Sequence, residues 1–164
     1  MAKPAERSAA RLAAVQALYQ MEVSGQGVID ARAEFEGFWI GQEVEGVSFK
    51  PAESEFFRDI LEGAVREQRA IDGKVDGALA EGWPLKRVEA VLRAILRAGG
   101  YELMFRKDVP ARVVISEYVD VTHGFYAEDE PGLVNAVLDT LAREVRGGEL
   151  EARKTPPSRA RKAR

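Results

Sequence analysis

RVEAVLRAILRAGGYELMF, residues 87–105, is the stretch on which the fold turns. Val88, Val91, Leu92, Ile95, Leu96, Gly99 and Leu103 recur at a 3.6-residue period, yet they spread beyond one narrow stripe. A helix apolar over so much of its circumference is normally buried by neighbours on several sides, so these residues are read as a central helix. Gly99-Gly100 lies inside it, where each glycine costs roughly 1 kcal/mol of helix propensity against alanine. Two readings account for the pair: another helix crosses closely, because removing Cβ atoms lets backbones approach, or the helix kinks there. The close crossing is preferred.

Working outward toward the N-terminus, residues 5–23 read as a first helix. Leu12, Val15, Leu18, Tyr19 and Val23 line one face, and Arg7, Arg11 and Glu22 are left to solvent. Ser24-Gly25-Gln26-Gly27 stops it. Residues 29–39, with Phe35, Phe38 and Trp39, form a short second helix, and residues 41–49 a loop. Pro51 opens a third helix reaching about Ile71, with Phe56, Phe57, Ile60, Leu61, Ala64 and Val65 as its core side. Asp72-Gly73 marks a break, and residues 75–80 make at most a short helix before Gly82-Trp83-Pro84.

On the other side, the central helix ends near Lys107-Asp108, since Pro110 opposes its continuation. Val113, Val114, Ile115, Tyr118, Val119 and Val121 can be read as a strand or as a helix to about Phe125. Helix is preferred because no second strand is available to pair. Glu128-Asp129-Glu130-Pro131 places acids and a proline where a helix starts, and Leu133, Val134, Val137, Leu138 and Leu141 carry that last helix to Arg146. Gly147-Gly148 releases a tail. The result is an all-α, compact bundle of six or seven helices, with residues 1–148 as the domain and residues 149–164 as a basic flexible tail.

The chain of 164 residues is long enough for a sizeable core in one domain. It has no cysteine, which excludes a disulfide framework and thiolate metal sites and fits a reducing compartment. No apolar run approaches the roughly 18 residues of a membrane span. Gln16, Tyr19, Gln20 and Glu22 interrupt any signal-peptide core near the N-terminus, so a cytoplasmic protein is expected. The formal net charge of −3 hides an asymmetry. Residues 153–164 contain six Lys or Arg and no acid, leaving an acidic body before a cationic end. Any nucleic-acid binding must therefore be local.

The sequence contains no phosphate loop, dinucleotide fingerprint or nucleophile elbow. His123 is the only histidine and has no cysteine beside it, so a metal site and a metal cofactor are not expected. Glu128, Asp129 and Glu130 resemble a carboxylate cluster, but their placement at a helix start accounts for them. Binding is better supported. Lys3, Arg7 and Arg11 follow a four-residue spacing, with Gln16 and Tyr19 beyond them as groups able to hydrogen-bond or stack on bases. A solvated helix face has the same pattern, and so does the second pair, Arg93 and Arg97.

Five stretches in order resemble the NusB family of bacterial transcription antitermination factors: KPAERSAARLAAVQALYQ (3–20), FFRDILEGA (56–64), AILRAGGYEL (94–103), DVPARVVISEYVDVTHGF (108–125) and AEDEPGLVNAVLDTLA (127–142). The resemblance covers about residues 3–146. It implies two perpendicular three-helix groups around the central helix, no enzymatic activity, and no cofactor. It also implies binding to the box A element of ribosomal RNA leaders together with NusE, a small-subunit ribosomal protein. That complex would join RNA polymerase and other Nus factors; some relatives form a homodimer when free.

By position, the resemblance carries RNA-binding roles to Lys3, Arg7, Arg11, Gln16, Tyr19, Asp129 and Asn135. The family's arginine-rich segment is diluted here by Glu6, Ser8, Ala9 and Ala10, which implies fewer phosphate contacts. Leu133 replaces an aromatic residue, and Leu92 replaces the carboxylate usually presented to NusE. Glu89, nearly one turn earlier, is expected to take over that partner contact. Two other readings stand beside this one: a helical protein-interaction scaffold with little RNA specificity, and the NusB-like domain of a ribosomal RNA cytosine methyltransferase. The latter requires a following α/β domain with a catalytic cysteine, and this sequence has neither. The basic tail could supply RNA attraction that the N-terminus lacks.

Overall fold

A computed structural model of the chain describes residues 4–38, 43–44, 47–48, 51–79 and 85–154. Among them are eight α-helices: α1 (Pro4–Ser24), α2 (Val28–Phe38), α3 (Pro51–Arg66), α4 (Gln68–Ala78), α5 (Ala90–Phe105), α6 (Ala111–His123), α7 (Glu130–Val145) and α8 (Gly147–Lys154). A single 3-10 turn, Leu85–Arg87, precedes α5. The fold is all-α, as the periodicity predicts. Lys3, Trp39, Gly82-Trp83-Pro84 and the tail from residue 155 lie outside the described residues.

α5 is the element on which the others meet. It packs against α1, α3, α4, α6 and α7. On one side α1, α2 and α3 contact one another; on the other, α6 and α4 pack on α7, which also carries α8. Ile95, Leu96, Ala98 and Leu103 of α5 have no exposed surface, which is the burial its broad apolar pattern demands. The glycine pair marks close approach: a Cβ at Gly99 would stand 2.9 Å from Leu138 Cδ1 and 3.3 Å from Tyr118 Cδ2, and one at Gly100 2.9 Å from Ile71 Cγ2. Side chains of α7, α6 and α4 therefore occupy the space the missing Cβ atoms leave, and α5 continues through the pair as one helix.

Three features depart from the sequence reading. The third helix divides at Glu67 into α3 and α4, and α4 runs through Asp72-Gly73 instead of breaking there. Phe57, Ile60 and Leu61 belong to the α3 side of the core, whereas Ile71 and Val75 reach Gly100 of α5. Burial of this i, i+4 pair outweighs the local turn preference of Asp-Gly. Second, the expected loop over 41–49 contains a minimal antiparallel pairing of β1 (Glu43–Val44) with β2 (Val47–Ser48), in the register Glu43↔Ser48 and Val44↔Val47.

Third, Gly147-Gly148 does not release the chain. α8 begins there, and Leu150 is buried in the core. The turn into α8 is held by Arg146, whose guanidinium donates to the carbonyls of Glu102 (2.9 Å), Leu103 (2.9 Å), Arg106 (2.9 Å) and Val109 (2.6 Å). These oxygens belong to the end of α5 and the turn after it; those of Glu102 and Arg106 also accept the backbone N–H groups of Arg106 and Val109. The residue read as the end of the last helix is thus a buried cap for its neighbour, and packing against the core continues past residue 148 to Leu150.

The face of α1 also differs. Leu12, Tyr19 and Val23 are exposed, while Ala10, Ala13, Ala14 and Ala17 join Val15 and Leu18 in the core. Small residues bring α1 close to α3 and α5, while Leu12, Tyr19 and Val23 are turned outward.

The glycines provide a test of this packing. Gly99→Ala/Gly100→Ala is expected to lower stability by about 1–3 kcal/mol despite its higher helix propensity, because overpacking a tight crossing costs more than the propensity gain. Gly73→Ala in α4, where a new Cβ meets nothing within 4 Å, is expected to raise stability by up to about 1 kcal/mol. Urea unfolding of both variants reads the two signs.

Candidate nucleic-acid interface

Arg11 is not at the surface. It is 2% exposed, and its guanidinium makes a bidentate pair with Glu102, Nε to Oε2 at 2.8 Å and Nη2 to Oε1 at 3.0 Å. Nη1 reaches Glu117 Oε1 at 3.3 Å, and the Tyr118 hydroxyl donates to Glu102 Oε2 at 2.5 Å. Ser8 donates to Glu117 as well. A residue placed on the wet face from its spacing is therefore the buried tie between α1, α5 and α6. Burying an Arg–Glu pair is favourable only when the remaining donors and acceptors are met, and here they are.

Arg7 occupies a different setting. Its guanidinium lies 4.3 Å above the Phe56 ring, whose surroundings also include Arg11 at 4.9 Å and Arg106 at 5.1 Å. Arg106 is engaged by Asp59 and Asp108, and Arg106 holds the Asp108 carboxyl down at about 2. Arg7 remains partly exposed, with its charge held against an aromatic face. The second basic pair is also occupied: Arg93 pairs with Glu22, and Arg97 with Asp72 (2.8 Å) and Glu22 (3.1 Å). Arg93 is the main cause of a lowered Glu22 carboxyl.

The other sequence-predicted residues fall in three separate grooves. Gln16 and Tyr19 line one of about 330 Å³ between α1 and α2, shared with Gln20, Val23, Ser24, Glu34 and Phe35. Glu89 and Asp129 come together in a second groove, of about 510 Å³, with Val88, Leu92, Tyr126, Glu130 and Leu133. Its three carboxylates beside aliphatic side chains form an acidic, partly apolar trough. Tyr126 donates to Glu89, and burial followed by Glu89 pushes its phenol up. Asp129 is the N-cap residue of α7 but makes no side-chain capping bond, so its carboxylate faces outward. Asn135 lies in a third groove with Arg112, Ile115, Ser116, Val119, Asp139, Arg143 and Leu150.

Sequence reasoning missed the polar network that edges the first groove. Gln20 and Gln26 both donate to Glu34 Oε1, at 3.1 and 3.0 Å. No periodic signal marks these residues, because they converge only when α2 folds back on α1. His123 is exposed at the end of α6, and among the described residues no group of three or more His, Cys, Asp or Glu could hold a metal ion. Nor is any described helix long and apolar enough to cross a membrane.

A sequence model described as the NusB family matches residues 8–143. The chain belongs to the NusB family. The transcription antitermination protein NusB of Nitrobacter hamburgensis is 62% identical over 148 residues, which cover 90% of this chain and 92% of that protein. That of Nitrobacter winogradskyi is 63% identical over the same length and coverage. Among solved structures, a T. maritima NusB matches with a TM-score of 0.72 at 29% identity, over 88% of this chain and 96% of that one. A chain from the crystal structure of antitermination factors NusB and NusE in complex with dsRNA matches at a TM-score of 0.72 and 24% identity, covering 85% of this chain and 97% of its own, which supports the fold. As a NusB-family member the protein is a transcription antitermination factor and not an enzyme.

Two stability measurements follow from the buried network. Arg11→Ala is expected to cost about 3–5 kcal/mol, because it leaves Glu102 charged and unpaired in the core. Arg11→Lys recovers only part of this, since an ammonium cannot reproduce the fork; chemical denaturation compares the two. The second concerns alkaline pH. Burial and then Asp59 push the Tyr101 phenol up to about 12 from 10.0, and burial and then Glu102 push Tyr118 well above its ordinary value. Unfolded phenols ionise first, so this contribution is complete below about pH 10 and is lost as pH rises through 12. Stability measured across that window should fall, and Tyr118→Phe should make the fall shallower.

Proposed function

We propose that this protein binds box A RNA of ribosomal RNA leaders together with NusE and promotes processive transcription of ribosomal RNA. The reading rests on membership of the NusB family, joined to the separation of Gln16 and Tyr19, in a groove of amides, a phenol and one carboxylate, from Glu89 and Asp129, in a trough with three carboxylates. Gln16 and Tyr19 share an amide-bearing, aromatic groove on α1, with chemistry suited to unstacked bases. Arg7, held on Phe56, supplies a cation for phosphate. Lys3 lies outside the described residues and is retained as a further phosphate contact.

Glu89, Asp129 and Glu130 line the acidic trough beside Val88, Leu92 and Leu133. Carboxylates repel a phosphate backbone, whereas acids around an apolar floor suit a basic protein segment. We assign that trough to NusE, with Glu89 in the place of the family's carboxylate at Leu92, and move Asp129 from the RNA side to the partner side. Asn135 lies in the third groove beside the exposed Arg112, so any RNA contact there is separate from that at Tyr19. RNA polymerase and the other Nus factors are reached through the assembled complex, and a homodimer of the free protein is a further proposal.

A second reading is supported by Arg11. Its burial leaves Arg7 as the presented arginine of the α1 pair, which suits a helical interaction scaffold with little RNA specificity.

Titration of labelled box A RNA and a scrambled control, with the protein alone and with NusE at two salt concentrations, separates the readings. Box A preference that strengthens with NusE supports antitermination. Equal, weak binding of both RNAs under every condition supports the scaffold. Arg7→Ala is expected to weaken binding to all RNAs and reduce the salt slope by about one. Glu89→Lys should weaken NusE association and leave binding of RNA to the free protein unchanged.

A further inference from the structure

The groove between α1 and α2 has an uneven supply of hydrogen-bonding groups. Glu34 cannot donate when ionised, so its contacts with Gln20 and Gln26 fix both amides with nitrogen toward the carboxylate. Gln20 Nε2 also donates to Gln26 Oε1 at 3.1 Å, which engages both of its N–H groups. Ser24 is matched too: its hydroxyl donates to the Gln20 carbonyl at 2.8 Å and accepts from the Gln26 N–H at 3.1 Å. Among the described residues, no protein group donates to Glu34 Oε2 or to the Gln20 side-chain oxygen. Gln26 and then Gln20 keep the Glu34 carboxyl below the usual carboxylate range, so it stays an acceptor near neutral pH. The groove therefore offers acceptors, a carboxylate oxygen and an amide oxygen, to a group that enters it.

Beside these acceptors stands Tyr19, 39% exposed, over a floor that includes the buried Phe35. An exposed aromatic ring next to a fixed hydrogen-bonding edge is the arrangement by which single-stranded RNA bases are held: stacked on one face and read along the Watson–Crick edge. The volume of about 330 Å³ is at the small end of ligand-binding clefts. The base chemistry then selects among the four. Guanine alone carries two adjacent donors, N1–H and N2–H₂, on that edge. Adenine and cytosine set a ring acceptor beside their amine, and uracil flanks a single N–H with carbonyls.

We propose that this groove receives one unstacked guanine of the bound RNA, stacked on Tyr19 and read by Glu34 Oε2 together with the Gln20 side-chain oxygen. The inference rests on the RNA-binding reading above and adds the identity of one nucleotide and two specificity-determining residues. Glu34 is thus an acidic residue with a place in an RNA site, because it meets a base edge and not a phosphate.

The test uses the full chain with NusE and short labelled oligouridines carrying one central guanosine, inosine or adenosine, followed by fluorescence anisotropy. Inosine keeps N1–H and lacks the exocyclic amine. The guanosine RNA is expected to bind about tenfold more tightly than the inosine RNA. Glu34→Ala should bring the two together, with Glu34→Gln between, and Tyr19→Ala should weaken all three RNAs by about tenfold. Thermal unfolding of each variant verifies that it is folded. Equal affinity of the wild-type protein for guanosine and inosine, with box A still preferred to its scrambled control, overturns the guanine site and leaves the RNA-binding reading intact. Absence of binding to every RNA overturns both.

Discussion

The buried pair between Arg11 and Glu102 is the interaction on which the arrangement depends. A guanidinium and a carboxylate are costly to remove from water, and their attraction compensates only when both are fully hydrogen-bonded. Here the fork of Arg11 meets both oxygens of Glu102, and Glu117 and Tyr118 complete the set. Apolar contacts let a helix slide or rotate at small cost, but a bidentate pair accepts one register. By fixing α1 on α5 at Arg11, it determines which residues α1 turns outward: Leu12, Gln16, Tyr19 and Val23. The RNA-facing character proposed for that helix is thus set from the inside.

Glu102 has a second use that joins the two ends of the chain. Its carboxylate engages Arg11 of α1, and its backbone carbonyl accepts from Arg146 after α7. One turn of α5 therefore anchors elements separated by most of the sequence. The glycine pair lies within the same turn and brings Leu138, Tyr118 and Ile71 against the backbone. Close crossing and buried charge together make the centre specific as well as apolar. Phe56, beneath three guanidiniums, extends the same economy to the N-terminal side.

How far this was legible in the sequence follows from the physics of each element. The central helix could be read because apolar residues spread so widely around a 3.6-residue period require burial on several sides, and Gly99-Gly100 announced a close contact. α6 was legible despite its β-branched residues because no partner strand competed. The split at Glu67 was not, since it arises from Ile71 and Val75 needing a different neighbour from Phe57 and Ile60. Arg11 was misplaced for a general reason: spacing puts a charge on a helix face but cannot reveal a carboxylate waiting opposite it. The alanine face of α1 was missed because large apolar residues dominate pattern reading, although small ones make the closest packing. The grooves were least legible of all, as Gln20 and Glu34 meet only through the return of α2, and Glu89 and Asp129 only through the packing of α5 against α7.

Arg146 and Leu150 also bear on how the molecule is made. Translation proceeds from the N-terminus, so α1 through α7 leave the ribosome before these two residues can reach their places. Until then the carbonyls at the end of α5 lack their guanidinium, and the core lacks the Leu150 side chain. The packing at the end of α5 is therefore the last part of the bundle that synthesis can complete.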